Sequence, residues 1–283
     1  VKWDAGKEGV YGKCILRTAN HTAEVVVSGS HTGVTSLTLD GEKVFEASGD
    51  SEQVTGLTAF KEWTFDNLID TVLALDVSEL MWLLEGAKAC MSLSNSGGAD
   101  EAKEFSVKDS LVSEAAARTS KAVEIRMSGR PWPVLTSAGS GNQGIMISIP
   151  VLLVSEKQGL TDEKKARALA VAHGVNMLIK AFTGEVSALC GGISAGAGVA
   201  AAVCWIHGGG KTQIANAVDR AIASTCGMIC DGAKFTCALK GSLSVVSGIE
   251  AGLAASGGLD QVGNQGIVGL NVDETLARLG SMS

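Results

Sequence analysis

Apolar and polar residues alternate from Gly12 to Thr18 and from Ala23 to Ser28, the period of half-buried strands. Thr35 to Leu39 and Glu42 to Phe45 flank Asp40-Gly41, a pair that accepts the positive φ of a type I′ turn, so a hairpin is predicted there. Ser28 to Gly33 reads as a loop between strands. From Phe65 the period lengthens to that of a helix, with Leu68, Ile69, Val72 and Leu73 on one face. Asp76, with Glu79 three residues later, reads as a second helix start, and Leu80, Leu83, Leu84 and Ala87 carry its apolar stripe to Asn95-Ser96-Gly97-Gly98. Lys108 to Arg118 is predicted as a helix. Lys121 to Met127, short and alternating, is predicted as a last strand.

Pro131-Trp132-Pro133 marks a change of composition. Before it the chain is charged and mixed; after it come long uncharged runs rich in Gly and Ala. The expected fold is α+β: a small mixed α/β domain over 1–128, then a mainly α-helical domain over 129–283. Thr161 is placed to cap a helix whose first turn holds Asp162 and Glu163, suiting the positive end of its dipole, and which runs to about Phe182. Further helices are predicted over Val186–Ile206, Thr212–Ser224, Met228–Leu239, Leu243–Ala255 and Val272–Leu279. The last has Asn271 and Glu274 at capping-box spacing and Gly280 as its stop. A short echo joins Gly141-Asn142-Gln143-Gly144-Ile145 to Gly263-Asn264-Gln265-Gly266-Ile267.

Composition narrows the function. The 283 residues include 46% hydrophobic ones, enough for a sizeable core, and 36 glycines against 3 prolines, which suits closely packed helices. A net charge of −7 argues against nucleic acid, whose binders need a basic face, and 4% aromatics leave little for base stacking. Val186 to Ile206 is uncharged and long enough for a membrane span. Its Gly, Ala and Ser supply little transfer energy, so a helix buried among helices is the expectation, with no membrane partner. No signal-peptide pattern is present at Val1, and a soluble, cytoplasmic protein is expected. The start without Met suggests a chain that begins inside a longer polypeptide.

Seven cysteines occur, five of them between 190 and 237. Cys230 and Cys237 lie two helical turns apart and would share a helix face, which Cys226 could join. Cys190 sits in Leu189-Cys190-Gly191-Gly192, where glycines let backbone amides approach sulfur. Three thiolates could hold an iron–sulfur cube with one iron open; equally, buried free cysteines act as small hydrophobes. No Cys-x-x-Cys is present, which removes a zinc ribbon. Ser140-Gly141-Asn142-Gln143-Gly144 is a polar loop before an apolar run, suited to an anion or amino acid, or simply to capping a helix. Ser30-His31-Thr32 would place an imidazole and hydroxyls at a strand end. His173, in an apolar stretch, reads as a satisfied core histidine. Gly208-Gly209-Gly210-Lys211-Thr212 lacks the first glycine of a phosphate loop, since Trp205 stands there.

Taken together, Ser140 to Gly144, Ser187 to Gly191, Gly227 to Lys234 and Cys237 to Lys240 resemble the L-cysteine desulfidase family, related to the iron–sulfur L-serine dehydratase α chain. Gly29-Ser30-His31-Thr32 is similar to its Gly-x-His-Thr segment. The resemblance implies a 4Fe–4S cluster held by Cys190, Cys230 and Cys237, with Cys204 and Cys226 structural. It implies a lyase in which the open iron acts as a Lewis acid on the β-thiol of L-cysteine, giving pyruvate, ammonia and sulfide without pyridoxal phosphate. Dehydration of L-serine at the same kind of site is the alternative, and a non-catalytic subunit is a third reading. Ser140, Gly141, Asn142 and Gln143 would grip the substrate carboxylate, with His31 and Thr32 contributing from the other domain. Lys234 and Lys240 would offset charge or stand solvated. Relatives of this kind carry a further N-terminal segment with a Cys-Pro motif that resembles the source of the general base. It has no match here, so the base is expected upstream, and a homo-oligomer or association with such a segment is expected.

Overall fold

The computed structural model describes residues 6, 10–29, 33–47, 56–96, 110–259 and 261–283. Its packing divides the chain into two compact units, 1–54 and 55–283. The fold is α+β. His31 and Thr32 lie outside the described residues.

The first unit holds a four-stranded antiparallel meander, β1 (Tyr11–Arg17), β2 (Thr22–Ser28), β3 (Val34–Leu39) and β4 (Glu42–Glu46), in the order β1-β2-β3-β4. Asp40 and Gly41 both take positive φ, 54° and 84°, as the type I′ turn requires. Asp40 also accepts from the Thr22 backbone N–H at 2.7 Å, which ties the turn to the start of β2.

Ten α-helices are described in the second unit. After the short α1 (Gly56–Ala59) come α2 (Phe65–Ala74), α3 (Met81–Asn95), α4 (Leu111–Met127), α5 (Gly141–Lys157), α6 (Asp162–Thr183), α7 (Gly191–Ile206), α8 (Lys211–Thr225), α9 (Thr236–Ser256) and α10 (Val272–Gly280). Their starts follow local chemistry. Thr64, Ser110, Ser140, Thr161 and Asn271 each accept a first-turn N–H through the side chain, satisfying a donor that the helix itself leaves unpaired.

α7 is the central element: it packs against α5, α6, α8 and α9, and nearly every residue from Gly192 to Cys204 is buried. Burial on all sides is why the sequence there has no charge. Small residues let the neighbours come close. A methyl on Gly196 would stand 2.8 Å from the Ser244 carbonyl oxygen, one on Gly248 would stand 2.5 Å from that of Gly196, and one on Gly252 would stand 2.7 Å from that of Ala200. Positions four apart on both helices interlock in this row, so α7 and α9 run parallel. α6 runs the other way, with Gly198 against Ala172. No helix among the described residues is long and apolar enough to cross a membrane.

Three expected elements differ. Lys121 to Met127 is not a strand but the last part of α4, whose buried residues Ala115, Thr119, Ala122 and Val123 follow the helical period. The helix expected from Val186 begins at Gly191, because Leu189 pairs with Ile229 in an antiparallel bridge. The helix expected over Met228–Leu239 is a loop up to Phe235, so Cys226, Cys230 and Cys237 share no helix face. A boundary near 129 would fall between α4 and α5, which pack against each other inside the second unit.

Candidate functional site

The N-termini of α5 and α7 meet. Ser140 caps α5, and Gln143 in its first turn lies buried against Gly191, where a methyl would stand 2.5 Å from Gln143 Nε2. Glycine is also demanded at 144, since a methyl there would stand 1.7 Å from the Leu135 carbonyl oxygen. Asn142 is held from outside the loop, its Oδ1 accepting from Arg126 Nη1 at 3.1 Å. Gln143 Oε1 is buried without a partner among the described residues.

Cys190 caps α7: its sulfur accepts from the Gly192 N–H at 3.4 Å. Its own N–H donates to Met228 O at 3.0 Å, and the Cys230 N–H donates to Ala188 O at 2.8 Å. These bonds flank the Leu189–Ile229 bridge. Alternate residues of a strand share a face, so Cys190 and Cys230 fall on the same side of the pairing. Cys237 stands in the first turn of α9, with Sγ 3.5 Å from Gly232 O. Burial pushes the Cys190 thiol up, the Gly192 N–H pulls it back, the Cys230 and Cys237 thiolates raise it further, and Lys240 lowers it. The three sulfurs therefore belong to one electrostatic neighbourhood.

Lys240 and Lys180 enter it, and Lys234 braces the same loop. Lys240 Nζ donates to Ile229 O and to Asp231 Oδ1, both at 2.7 Å, bracing the loop that carries Cys230. Lys234 Nζ donates to Asp231 O. Lys180, near the end of α6, is buried and lines a small cavity with Cys190, Gly191 and Ser194. Burial lowers its pKa, while Cys230, Glu185 and Cys190 raise it. Neither Lys180 nor the Gln143–Gly191 contact is evident from the sequence, since each depends on which helix ends meet.

Among the described residues, no group of three or more His, Cys, Asp or Glu could hold a single metal ion. The donor set has another character. Three thiols on a helix cap, a loop and a helix first turn suit separate corners of a polynuclear cluster better than one ion. The ammonium groups of Lys240 and Lys180, a backbone N–H on the Cys190 sulfur and the positive ends of α5, α7 and α9 would favour sulfur in its anionic form, which fits a sulfur-ligated cluster. Cys204 lies apart, buried in α7, and burial pushes its thiol to about 11, as for an inert core cysteine. His173 is buried, but only Nδ1 is bonded, to Ser137 Oγ at 3.0 Å; Nε2 has no partner among the described residues, so the expectation of a satisfied core histidine holds for one nitrogen only.

The serine dehydratase alpha chain family matches residues 44–283, which takes in all of the second unit. The chain belongs to this family. This serine-dehydratase-like chain also resembles a UPF0597 protein of Moorella thermoacetica, 38% identical over 284 residues that cover 96% of this chain and 66% of that protein. A UPF0597 protein of Clostridium tetani is 33% identical over 288 residues, covering 98% of this chain and 68% of the relative. The chain thus spans about two thirds of the length of such relatives. As a serine dehydratase alpha chain relative, it carries its cysteine-bearing helix ends within the matched residues.

Proposed function

We propose that this chain is a carbon–sulfur lyase acting on L-cysteine, with a 4Fe–4S cluster held by Cys190, Cys230 and Cys237. One observation carries the reading: the backbone pairing of 188–190 with 228–230, which brings Cys190 and Cys230, forty residues apart in sequence, onto one side of the pairing. Membership of the serine dehydratase alpha chain family supports a lyase of amino-acid catabolism. When bound, the cluster supplies a Lewis-acid iron for the substrate's β-substituent.

The chain's own residues bind and orient. First-turn N–H groups of α5 and the Ser140–Gln143 loop receive the substrate carboxylate at the positive end of that helix. Gln143 Oε1, an acceptor without a partner among the described residues, is available to the substrate ammonium. The general base comes from elsewhere in the full protein. Loss of the α-proton and the β-substituent gives an enamine that water hydrolyses to pyruvate and ammonia, with sulfide released. The full protein works in the cytoplasm, as a homo-oligomer or with a further segment of its own chain covering this end, where Ile229, Phe235 and Leu239 are exposed.

The family description favours a second reading, L-serine dehydration. An anaerobic assay of sulfide from L-cysteine and pyruvate from L-serine, run side by side on reconstituted full-length protein, separates the two. Sulfide with the higher kcat/KM for cysteine is expected; pyruvate from serine alone overturns the first choice.

A further inference from the structure

The second unit contains a cleft of about 290 Å³ that the reading above does not use. Its walls are largely apolar, with Leu57, Trp82, Leu83 and Met177, and Glu185 also lines it. Its polar part is the turn at Thr136–Gly139 together with His173. Ser137 and Ser140 close this turn with reciprocal backbone bonds of 3.1 and 2.9 Å. Between them Ala138 and Gly139 both take positive φ, 48° and 77°. A left-handed alanine is a strained choice where glycine would serve, and such strain gathers at functional turns. The backbone N–H groups of Ala138 and Gly139 donate to nothing among the described residues.

Behind the turn lies a buried polar relay. Asn176 Nδ2 donates to Ser137 Oγ at 2.9 Å, and His173 Nδ1 is 3.0 Å from the same oxygen. The Ser137 hydroxyl, whose oxygen accepts from Asn176, can give its own proton to Nδ1, and in that tautomer the imidazole proton sits on Nε2. His173 is 5% exposed, and Nε2 has no partner among the described residues. An unmet buried N–H is unfavourable, and a ligand oxygen in the cleft would meet it.

We propose that this cleft is a second small-molecule site, taking an α-amino acid with an apolar side chain larger than that of cysteine or serine. The carboxylate accepts from His173 Nε2–H and from the Ala138 and Gly139 N–H groups. Leu57, Trp82, Leu83 and Met177 cover the apolar side chain, and Glu185 faces the ammonium. The uncharged imidazole keeps the site from binding anions indiscriminately. Pockets of this size and lining match molecules of that scale.

The test needs neither cluster nor turnover, so its failure leaves the lyase reading standing, and the reverse. Metal-free protein is titrated with L-methionine by calorimetry and by ¹⁵N–¹H NMR. Saturable binding is expected, with shifts at the Ala138 and Gly139 amides and at the His173 ring nitrogen. 4-(Methylthio)butanoate, which is L-methionine without the ammonium, should bind at least about tenfold more weakly. His173→Leu should weaken L-methionine by about tenfold or more, while His173→Gln, which restores an N–H donor, should stay within about threefold of the wild type. No saturable binding up to about 10 mM, shifts confined to another region, or equal affinity in a folded His173→Leu variant would each overturn the site.

Discussion

Cys190 does two jobs with one sulfur. It caps α7 by accepting from the Gly192 N–H, and it is a proposed cluster ligand. Serine is a better cap than cysteine but offers no thiolate. Cys190→Ser is therefore expected to lose most of its iron after anaerobic reconstitution while the metal-free protein melts within about 2 °C of the wild type, read by iron analysis and calorimetry. Cys204→Ala, which removes a buried thiol held at about 11, is expected to keep its iron. His173 and Asp219 shape the acid side of stability in opposite directions. Burial holds His173 down at about 4, below its ordinary 6.5. The unfolded imidazole takes a proton near 6.5 and the folded one only near 4, so the stability it confers is full above 6.5 and is lost as pH falls to about 4. That loss amounts to about 3 kcal/mol. Burial raises Asp219 from 3.8 to about 6, against a hydrogen bond from Thr275, so its contribution is full below 3.8 and is lost as pH rises through 6. Urea unfolding near pH 5 and near pH 7 should show a shallower acid loss for His173→Gln, and a gain at neutral pH for Asp219→Asn.

At the scale of elements, the parallel pair α7 and α9 sets where Cys190 and Cys237 stand. The glycine row 196, 248 and 252 fixes their separation, because each added methyl would meet the partner helix's backbone. Gly248→Ala is expected to cost about 1–3 kcal/mol through overpacking, whereas Gly227→Ala, facing open space, should be close to neutral; chemical denaturation reads both. Much of this layer is legible in the sequence. Thr161 and Asn271 cap the helices that their spacing predicts, and Asp40-Gly41 makes the predicted turn. The misread segments have physical reasons. Val123 and Ile125 suggested a strand, but they continue a stripe begun at Ala115 that packs on the helical core. Met228 to Phe235 has helical apolar spacing, yet its backbone pairs with 188–190 instead, a partner forty residues away that no local pattern reveals.

For the whole molecule, the division into units falls at residue 54, ahead of the helices rather than at the Pro131-Trp132-Pro133 composition change. Charged α2 to α4 bury apolar stripes against α5 and α6, so their exposed charge coexists with membership of the helical body. The candidate site was legible only through resemblance. Spacing put Cys230 and Cys237 on one helix, whereas they stand on a loop and a helix start, and the Cys190 segment pairs with the Cys230 segment through its backbone. The measurement that bears most directly on the account is iron and acid-labile sulfide per chain after anaerobic reconstitution, with Mössbauer spectra, for the wild type and for Cys190→Ser, Cys230→Ser and Cys237→Ser. About four of each per wild-type chain, and less than one in every variant, is the predicted result. A wild-type chain that takes up no iron, or three variants that bind as much as it does, would contradict it.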